Sequence, residues 1–385
     1  MFTLKLLFKN AFRHKLRAVL TIMSIVIALV AFGLLRTVIN AWYAGVEASS
    51  ATRLVTRNAI SLIFPLPLSY KEKIRQVEGV TDVSYGNWFG GIYIDEKNFF
   101  ANYAVEPESY FRLYPEIIIP PGEKAAFLRD RKGFAAGRKL VAKYGWKLGD
   151  TVTLKGTIFP GEWDFVMRAV YRGRDETVDE SAFMFHWDYL NETMKKTIPR
   201  RADQVGFYMI GVERPDIAAG VALAIDSMFK NSLAETLTET EKAFQLAFIA
   251  MSEAILIAIQ LVSLVVIVII MAVAANTMSM NVRERMGEYA VFKTLGFGGW
   301  RIGGLILGES LLIAFIGCAL GIALTFPVAG AFGKALGQYF PIFNVNTRIF
   351  SLYAAASLVV GVIAAIIPAW RVMKLPIASG LRRLG

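Results

Sequence analysis

Four stretches of this chain contain no charged residue, and each is about long enough to cross a lipid bilayer as a helix. They are Ala18–Leu35, which can be extended through Arg36 to Ile39, Ala254–Val282, Ser310–Gly333 and Ile349–Trp370. A hydrocarbon core of about 30 Å requires about 20 apolar residues in a helix. The sequence therefore predicts an α-helical membrane protein with four transmembrane helices. The first stretch is longer than the apolar part of a signal peptide and no A-x-A follows it, so we expect it to be a retained anchor.

Basic residues are concentrated in the short segments beside these spans. Residues 1–17, the loop 282–301 and the tail after residue 370 together account for the whole formal net charge of +11. Short basic segments stay in the cytoplasm, so both termini and this loop are predicted to be cytoplasmic. The segment Thr37–Leu246 has 26 basic and 27 acidic residues and is predicted to be outside. The net charge therefore indicates membrane orientation and does not indicate nucleic-acid binding.

The long insert between spans one and two has the composition of a compact α+β domain. Strand-like stretches between turn residues are Gly91–Ile94, Thr151–Lys155 and Phe165–Tyr171, and helix-like stretches are Glu72–Val77, Arg138–Tyr144 and Asp216–Phe229. The only cysteine, Cys318, lies in the third span, so this domain has no disulfide. The predicted fold is thus four transmembrane helices with an α+β extracytoplasmic domain inserted between the first and second.

A heptad-like spacing flanks the insert and predicts a pair of helices that continue outward from the first two spans. Apolar or small residues recur in steps of three and four at Leu237, Thr240, Phe244, Ala247 and Met251 and on into the second span. The same spacing follows the first span at Val38, Ala41, Gly45, Ala48 and Thr52. We expect these segments to form a stalk that carries the domain, with Leu237, Phe244 and Met251 in its seam.

The predicted organisation follows from these patterns. In chain order it is a cytoplasmic amphipathic helix (1–17), the first span (18–39), outer stalk (40–54), extracytoplasmic domain (55–230), outer stalk (231–253), second span (254–280), cytoplasmic loop (281–301), third span (302–332), short outer loop (333–348), fourth span (349–370) and cytoplasmic tail (371–385). Residues 1–17 are equally compatible with an amphipathic helix on the membrane surface and with the charged flank of an ordinary anchor.

No constellation of catalytic or metal-binding residues occurs in the sequence. It lacks a phosphate-binding G-x4-G-K-[ST] loop, an H-E-x-x-H pair and a G-x-S-x-G nucleophile turn. The two histidines, His14 and His186, are predicted to be on opposite sides of the membrane. We therefore expect neither a catalytic site nor a bound metal.

Three other features remain as candidates for a role. Glu309 lies inside the third span, where a carboxylate either makes a structural contact to another span or has a function. The glycine pairs Gly304/Gly308 and Gly317/Gly321 favour close helix packing, within the chain or with a second subunit. Aromatic residues between Tyr85 and Tyr114 indicate either a domain core or an apolar surface for a lipid or acylated substrate, with Trp88, Phe89, Phe99 and Phe100 as possible contacts.

Three segments resemble the FtsX-like, MacB-type (type VII) permeases of ABC transporters. They are Lys9–Arg17 followed by Leu20-Thr21, the run Asn276–Gly296, which contains V-R-E-R and K-T-L-G, and Pro368–Arg371 with Pro376 and Leu381-Arg382. Val372 and Gly287 depart from the residues usual in the family. These motifs cover about 60 residues, and the rest of the chain agrees with the family in order and length.

The resemblance implies a specific role for the loop after the second span. Asn281–Leu295 would be the coupling helix that docks into a partner ATPase, and Gly296 would end it as a left-handed cap. The residues implicated are Arg283, Glu284, Arg285, Met286, Glu288, Tyr289, Phe292, Lys293 and Gly296. Met286, Tyr289 and Phe292 are expected to fill an apolar groove of the ATPase. A basic surface of the ATPase is expected to relieve the repulsion between Glu284 and Glu288.

The resemblance also implies the partners and the activity. The chain is expected in the bacterial inner membrane as a stand-alone permease subunit, because only 17 residues precede the first span, with two copies of a separate ABC ATPase and a second permease subunit. It would bind no cofactor itself, and ATP and Mg²⁺ would be bound by the ATPase. The expected function is mechanotransmission that extracts or exports a hydrophobic or lipidated substrate. The alternatives are an FtsX-type signalling permease that activates cell-wall hydrolases, and a membrane-anchored receptor without an ATPase.

Overall fold

The computed structural model describes residues 2–250, 252–336, 343 and 348–374, and these form two compact units. The membrane-helix unit contains the described residues of 2–41, 253–336, 343 and 348–374, and the sheet unit contains residues 42–250 and 252. The sheet unit is therefore an insertion between the first and second long helices. This order agrees with the predicted position of the α+β domain.

Thirteen α-helices lie in the described ranges. They are α1 (Phe2–Ala11), α2 (Lys15–Ala48), α3 (Tyr70–Arg75), α4 (Pro107–Leu113), α5 (Pro121–Arg129), α6 (Arg138–Tyr144), α7 (Trp187–Thr197), α8 (Ala218–Met228), α9 (Glu241–Ala250), α10 (Glu253–Glu284), α11 (Met286–Thr294), α12 (Gly299–Leu336) and α13 (Arg348–Met373). Short 3-10 helices occur at Pro199–Arg201 and Pro215–Ile217.

Thirteen strands accompany these helices in the described part of the chain. They are β1 (Arg53–Asn58), β2 (Leu66–Pro67), β3 (Val80–Trp88), β4 (Gly91–Ile92), β5 (Asn102–Val105), β6 (Ile117–Ile118), β7 (Gly133–Gly137), β8 (Thr151–Gly156), β9 (Gly161–Gly173), β10 (Phe183–His186), β11 (Gln204–Val205), β12 (Phe207–Val212) and β13 (Thr236–Thr240).

Four helices are long and apolar enough to span a membrane, as the sequence predicts. The candidate spans are Lys15–Glu47, Glu253–Glu284, Gly299–Gly333 and Phe350–Met373. All four helices extend beyond the predicted windows, because residues beyond the uncharged stretches continue the helical hydrogen bonding. The chain is therefore a four-span helical protein with an α+β domain between its first two spans.

Glycine contacts bring the spans close together inside the membrane-helix unit. A Cβ atom on Gly33 of α2 would lie 1.6 Å from the hydroxyl oxygen of Tyr353, so no other residue fits there without rearrangement. Cβ atoms on Gly317 and Gly321 of α12 would lie 2.7 and 3.0 Å from Ile25 and Leu29 of α2. The partner of this glycine pair is thus within the chain, which resolves one of the alternatives left by the sequence. Gly304 faces open space.

The sheet unit is built on one mixed sheet. The strand order is β13-β1-β12-β3-β5-β10-β7-β9-β8-β4, with β6 paired to β9, and β2 and β11 form a separate pair. The pairs β5/β10 and β7/β9 are parallel and the others are antiparallel. The three predicted strands correspond to β4, β8 and β9, and the three predicted helices overlap α3, α6 and α8, so this part of the prediction is confirmed.

Strand β9 shows how the sequence pattern builds the core. Trp163, Phe165 and Met167 alternate with more exposed residues and pack into the main apolar core. The pairing with β7 skips one residue at Arg168. Because a bulge reverses the side-chain alternation, Ala169 and the following alternate residues join a second core on the other face.

The predicted stalk and domain boundaries need correction. The sheet begins at Arg53 and ends at Thr240, so it is wider than the predicted 55–230. Leu237 and Thr240 belong to β13, which pairs with β1, and they are not part of a helical seam. The predicted heptad seam is wrong here, because residues three positions apart on a strand point to opposite faces of the sheet. Phe244 lies half-buried in α9, whereas Met251 is outside the described residues.

The helical part of the predicted stalk is shorter than the sequence suggested. Helix α2 ends at Ala48, and α9 covers only ten residues before a turn at Ser252. These two helix ends do approach each other, because a Cβ atom on Gly45 would lie 3.2 Å from the side-chain oxygen of Gln245. Most of the predicted outer loop 333–348, and the tail beyond residue 374, lie outside the described residues.

Candidate functional site

The segment between the second and third spans contains a short helix of its own, α11. Helix α10 ends at Glu284, Arg285 leaves the helical conformation, and α11 runs from Met286 to Thr294. Gly296 has a φ of 88°, its N–H donates to the Lys293 carbonyl, and the next N–H donates to Phe292. These two bonds are those of a Schellman cap, which explains the glycine. The predicted cap is confirmed, but the predicted single helix Asn281–Leu295 is two helices.

Arg285, at the break between α10 and α11, points into the membrane-helix unit. Its Nη1 donates to both carboxylate oxygens of Glu309 at 2.9 and 3.0 Å, and its Nε donates to Glu288 at 3.2 Å. Both Arg285 and Glu309 are buried, and the guanidinium carbon lies 5.1 Å from the ring centroid of Tyr289. Glu309 therefore makes a structural ion pair, although its partner is the residue before α11 and not another span.

Two arginines near the start of α2 neutralise the acidic residues around α11. Arg17 donates to both oxygens of Glu284 at 2.8 and 2.9 Å, and Arg13 pairs with Glu288. The predicted relief of the repulsion between Glu284 and Glu288 thus comes from the chain itself. Burial alone would raise the pKa of Glu288, but hydrogen bonds from Arg285 and Arg13 hold this pKa below its usual value.

We call Arg13, Arg17, Glu284, Arg285, Glu288 and Glu309 the arginine–glutamate cluster. The sequence analysis used the two N-terminal arginines for membrane orientation and as part of the motif Lys9–Arg17, and it did not pair them with these acids. The opposite charges of these two motif segments could have suggested the pairing. The sequence, however, does not show that the two segments lie close together in space. The cluster connects the region before the first span, the α10–α11 break and the third span.

The apolar side of α11 is packed against the ends of three spans, α10, α12 and α13. Tyr289 is 1% exposed and shares a core with Val282, Ile302, Ile306, Ala369 and Val372, while Met286 and Phe292 are partly buried against it. Lys293 donates to the carbonyl of Met373 at 2.9 Å, at the end of α13. The prediction that Tyr289 is available to fill a groove of a partner is therefore wrong for this conformation, because its ring already fills a core of its own chain.

A different set of apolar side chains is exposed where α11 turns into α12. Val291, Leu295, Phe297 and Trp300 are 40%, 69%, 43% and 85% exposed, and we call them the turn surface. Arg283 is also exposed. Sequence reasoning missed the turn surface because it could not tell which side of a nine-residue helix faces the spans.

The aromatic residues predicted as possible substrate contacts separate into two groups in the sheet unit. Phe89 and Phe100 are buried in the main core, so the sequence-based suggestion that they contact a substrate is wrong. Trp88 and Phe99 remain 37% and 42% exposed, with ring centroids 6.2 Å apart. The loop after β1 also exposes large apolar side chains, which the sequence analysis did not select: Ile60, Leu62, Ile63 and Phe64.

Among the described residues, no group of three His, Cys, Asp or Glu side chains could hold a metal ion. His186 is buried and its Nε2 lies 2.8 Å from the Phe127 carbonyl oxygen. The hydrogen bonds and ion pairs around α11 connect helices of the chain to one another.

Solved structures and one family model are similar to parts of the chain. No curated protein matches the chain. Among solved structures, it is similar to the extracellular domain of the noncanonic ABC-type transporter YknZ from Gram-positive bacteria, with 11% identity, a TM-score of 0.36 and coverage of 49% of this chain and 100% of that one. It is also similar to a domain of a protein described as a permease from Porphyromonas gingivalis, with 12% identity, a TM-score of 0.33 and coverage of 49% and 90%.

The family comparison covers part of the membrane-helix unit. Residues 260–377 match the family model described as FtsX-like permease C-terminal. This range contains α11 and most of the second, third and fourth candidate spans. The match confirms the FtsX-like resemblance for residues 260–377, and the motif Lys9–Arg17 lies outside the matched range.

Proposed function

We propose that this chain is the permease subunit of an ABC transporter and that it couples ATP hydrolysis by a separate ATPase to work on the outer side of the inner membrane. Two ATPase copies would bind ATP and Mg²⁺, and a second permease subunit would complete the complex. The distribution of basic residues supports cytoplasmic termini. The observation that carries the proposal is α11, which is fixed to the spans on one side and exposes the turn surface on the other.

The turn surface has the composition expected of a docking site for the ATPase. Binding energy at protein interfaces is concentrated in a few apolar and aromatic anchors, with charged residues at the rim. Leu295, Phe297 and Trp300 would be such anchors, and the exposed Arg283 lies near the end of α10. The exposed residues of this segment therefore replace Tyr289 as the proposed contacts.

The packing behind α11 provides a route for the displacement. A force on the turn surface would act on α12 through the Arg285–Glu309 pair and on α13 through the hydrogen bond from Lys293 to Met373. Buried pairs of this kind favour one arrangement of their elements because a separated buried charge is costly. Closure of the ATPase dimer would therefore move these helices together with α11, which is mechanotransmission.

The proposed substrate is hydrophobic or lipidated. The sheet unit exposes two sets of large apolar side chains, Trp88 with Phe99 and the loop with Ile60 and Ile63. Contiguous exposed apolar surface on a soluble domain marks interaction sites. Identification of lipids and acylated proteins that co-purify with the complex would distinguish this transport function from the activation of a cell-wall hydrolase.

Substitution of one anchor tests the docking assignment. Leu295→Asp places a charge in the proposed apolar contact, and we expect its association with the ATPase to weaken by about tenfold or more, which corresponds to about 1.4 kcal/mol. The measurement is ATPase co-purification and affinity in nanodiscs. Leu233→Asp is the matched control, because Leu233 is fully exposed but belongs to the sheet unit. Wild-type affinity in Leu295→Asp would contradict the assignment.

A further inference from the structure

A buried arginine joins the helices of the sheet unit to its sheet. Arg53, the first residue of β1, donates from Nε to Glu241 at 2.9 Å, from Nη1 to the Leu113 carbonyl at 2.9 Å and from Nη2 to Glu116 at 2.6 Å. Its guanidinium carbon lies 4.1 Å from the ring centroid of Tyr114, whose hydroxyl donates to Glu241 at 3.1 Å. We call Arg53, Tyr114, Glu116 and Glu241 the Arg53 joint.

The joint lies where two helices meet the sheet. Helix α2 ends five residues before Arg53, and the N–H of Ser50, in the connection between them, donates to Glu241 at 2.8 Å. Glu241 is the first residue of α9 and directly follows β13. The carboxylate of Glu241, at the start of α9, therefore contacts both the chain that leaves α2 and the first residue of β1. Arg53 in turn contacts the end of α4.

Because the Arg53 joint is buried, its charged groups must stay paired with one another. The side chains of Arg53, Glu241 and Glu116 are only 8%, 10% and 15% exposed. Burial alone would lower the pKa of Arg53, but Glu116 and Glu241 raise this pKa above its usual value, so the arginine stays charged. A buried ion pair adds little net stability, yet separation of its members leaves an uncompensated charge and is strongly unfavourable. The cluster therefore holds the elements in one arrangement.

A second ion pair of strand β1 provides an internal comparison. Arg57 of β1 donates to Glu239 of β13 at 3.3 Å, with side chains 18% and 19% exposed. This pair joins β1 to β13, and Arg57 also donates to the carbonyl of Asn58 in β1 at 3.3 Å, so neither of these two hydrogen bonds involves α2 or α9. Both are arginine–glutamate ion pairs of β1, and they differ mainly in the elements that they connect.

We infer that Arg53 and Glu241 are positioning residues that lock the end of α2 and the start of α9 to the sheet, so that a displacement of either helix moves the sheet with it. This inference rests on the proposed mechanotransmission, for which it supplies the residues that connect helix and domain. Without the joint, the helix ends would move while β1 and β13 stayed in place.

Hydrogen exchange of the full-length protein in nanodiscs tests the joint without any ATPase. We expect Arg53→Met to accelerate amide exchange in residues 42–50 and 241–250 by about tenfold or more, because local opening no longer has to separate the buried charges, while β3, β5 and β10 keep their protection. Arg57→Met is the matched control and should leave both helix ends protected. Arg53→Lys, which keeps the charge but loses the fork, should show an intermediate rate.

Addition of the partner ATPase and ATP tests transmission. In the wild type, ATP should change exchange in the helix ends and in β1 and β13, whereas in Arg53→Met the change should be confined to the helix ends. Unchanged exchange in Arg53→Met, or equal acceleration in Arg57→Met, would overturn the joint. A retained response of β1 and β13 in Arg53→Met would overturn its role in transmission.

Two further outcomes keep the inference separate from the proposed function. If Arg53→Met unfolds the whole sheet unit, Glu241→Gln provides the test, because it preserves size and leaves Glu116 to pair with Arg53. If wild-type protein shows protected helix ends but no response to ATP, the proposed mechanotransmission fails, while the joint itself stands.

Discussion

The two units of this protein hold their elements together by different means. The core of the sheet unit contains many large aromatic rings among its aliphatic side chains, such as Phe183 stacked on Phe134 with centroids 4.1 Å apart. The spans of the membrane-helix unit meet at glycines, such as Gly33 beneath Tyr353. In water, burial of apolar area drives packing. In lipid that driving force between helices is absent, and close backbone approach replaces it.

This difference indicates which substitutions each unit tolerates. The sheet unit should be most sensitive to the loss of volume, because each buried ring removes a large apolar area from water. The membrane-helix unit should be most sensitive to added volume at its glycine contacts. The following predictions test this contrast, in order of decreasing effect.

The largest expected effect is a cavity in the core of the sheet unit. Phe183 is fully buried and contacts several other rings, so we expect Phe183→Ala to lower the free energy of unfolding of this unit by about 3–5 kcal/mol. Denaturant unfolding of the full-length protein in detergent measures it. Phe99→Ala is the control, since Phe99 is 42% exposed and its removal should cost within about 0.5 kcal/mol. Equal losses would show that the core does not depend on ring packing.

Added volume should be the more harmful change in the membrane-helix unit. The Cβ of Gly33→Ala would collide with the Tyr353 hydroxyl, whose Oη also lies 2.9 Å from Thr325. We expect a loss of about 1–3 kcal/mol, seen as a lower melting temperature in detergent. Gly304→Ala in α12 is the matched control, because no atom lies within 4 Å of its Cβ position. Identical melting of the two variants would contradict close packing at Gly33.

The smallest predicted effect is a pH dependence confined to the sheet unit. Burial lowers the pKa of His186 below its ordinary value of 6.5. His186 is therefore protonated more readily in the unfolded chain than in the folded unit. The free energy of unfolding consequently falls as the pH drops below about 6.5. The wild-type unit should melt at a lower temperature near about pH 5.5 than near about pH 7.5. In His186→Gln this difference should shrink, and an unchanged difference would assign it to other groups.

Much of the candidate site could be predicted from sequence, because its motif residues are close together in the chain. The cap at Gly296 and the importance of Glu309 were both predicted. A glycine directly after a helix indicates a left-handed cap, and a carboxylate inside a span indicates a polar contact or a function. The orientation of α11 could not be predicted, because nine residues include apolar side chains on both sides. Tyr289, predicted as a contact to the ATPase, is therefore buried, and Leu295, which the sequence did not single out, is exposed.

The sequence by itself determined the number of spans and the insertion of an α+β domain between the first two. Hydrocarbon thickness requires long uncharged helices, and such stretches are visible in any linear reading of the chain. Only the tertiary structure decided the partners of the buried charges. Arg53 and Glu241 are 188 residues apart, and Arg285 and Glu309 are 24 apart. Charge pairing acts over a few ångströms in space. That distance is fixed only when the sheet and the spans pack, so it cannot be read from the sequence.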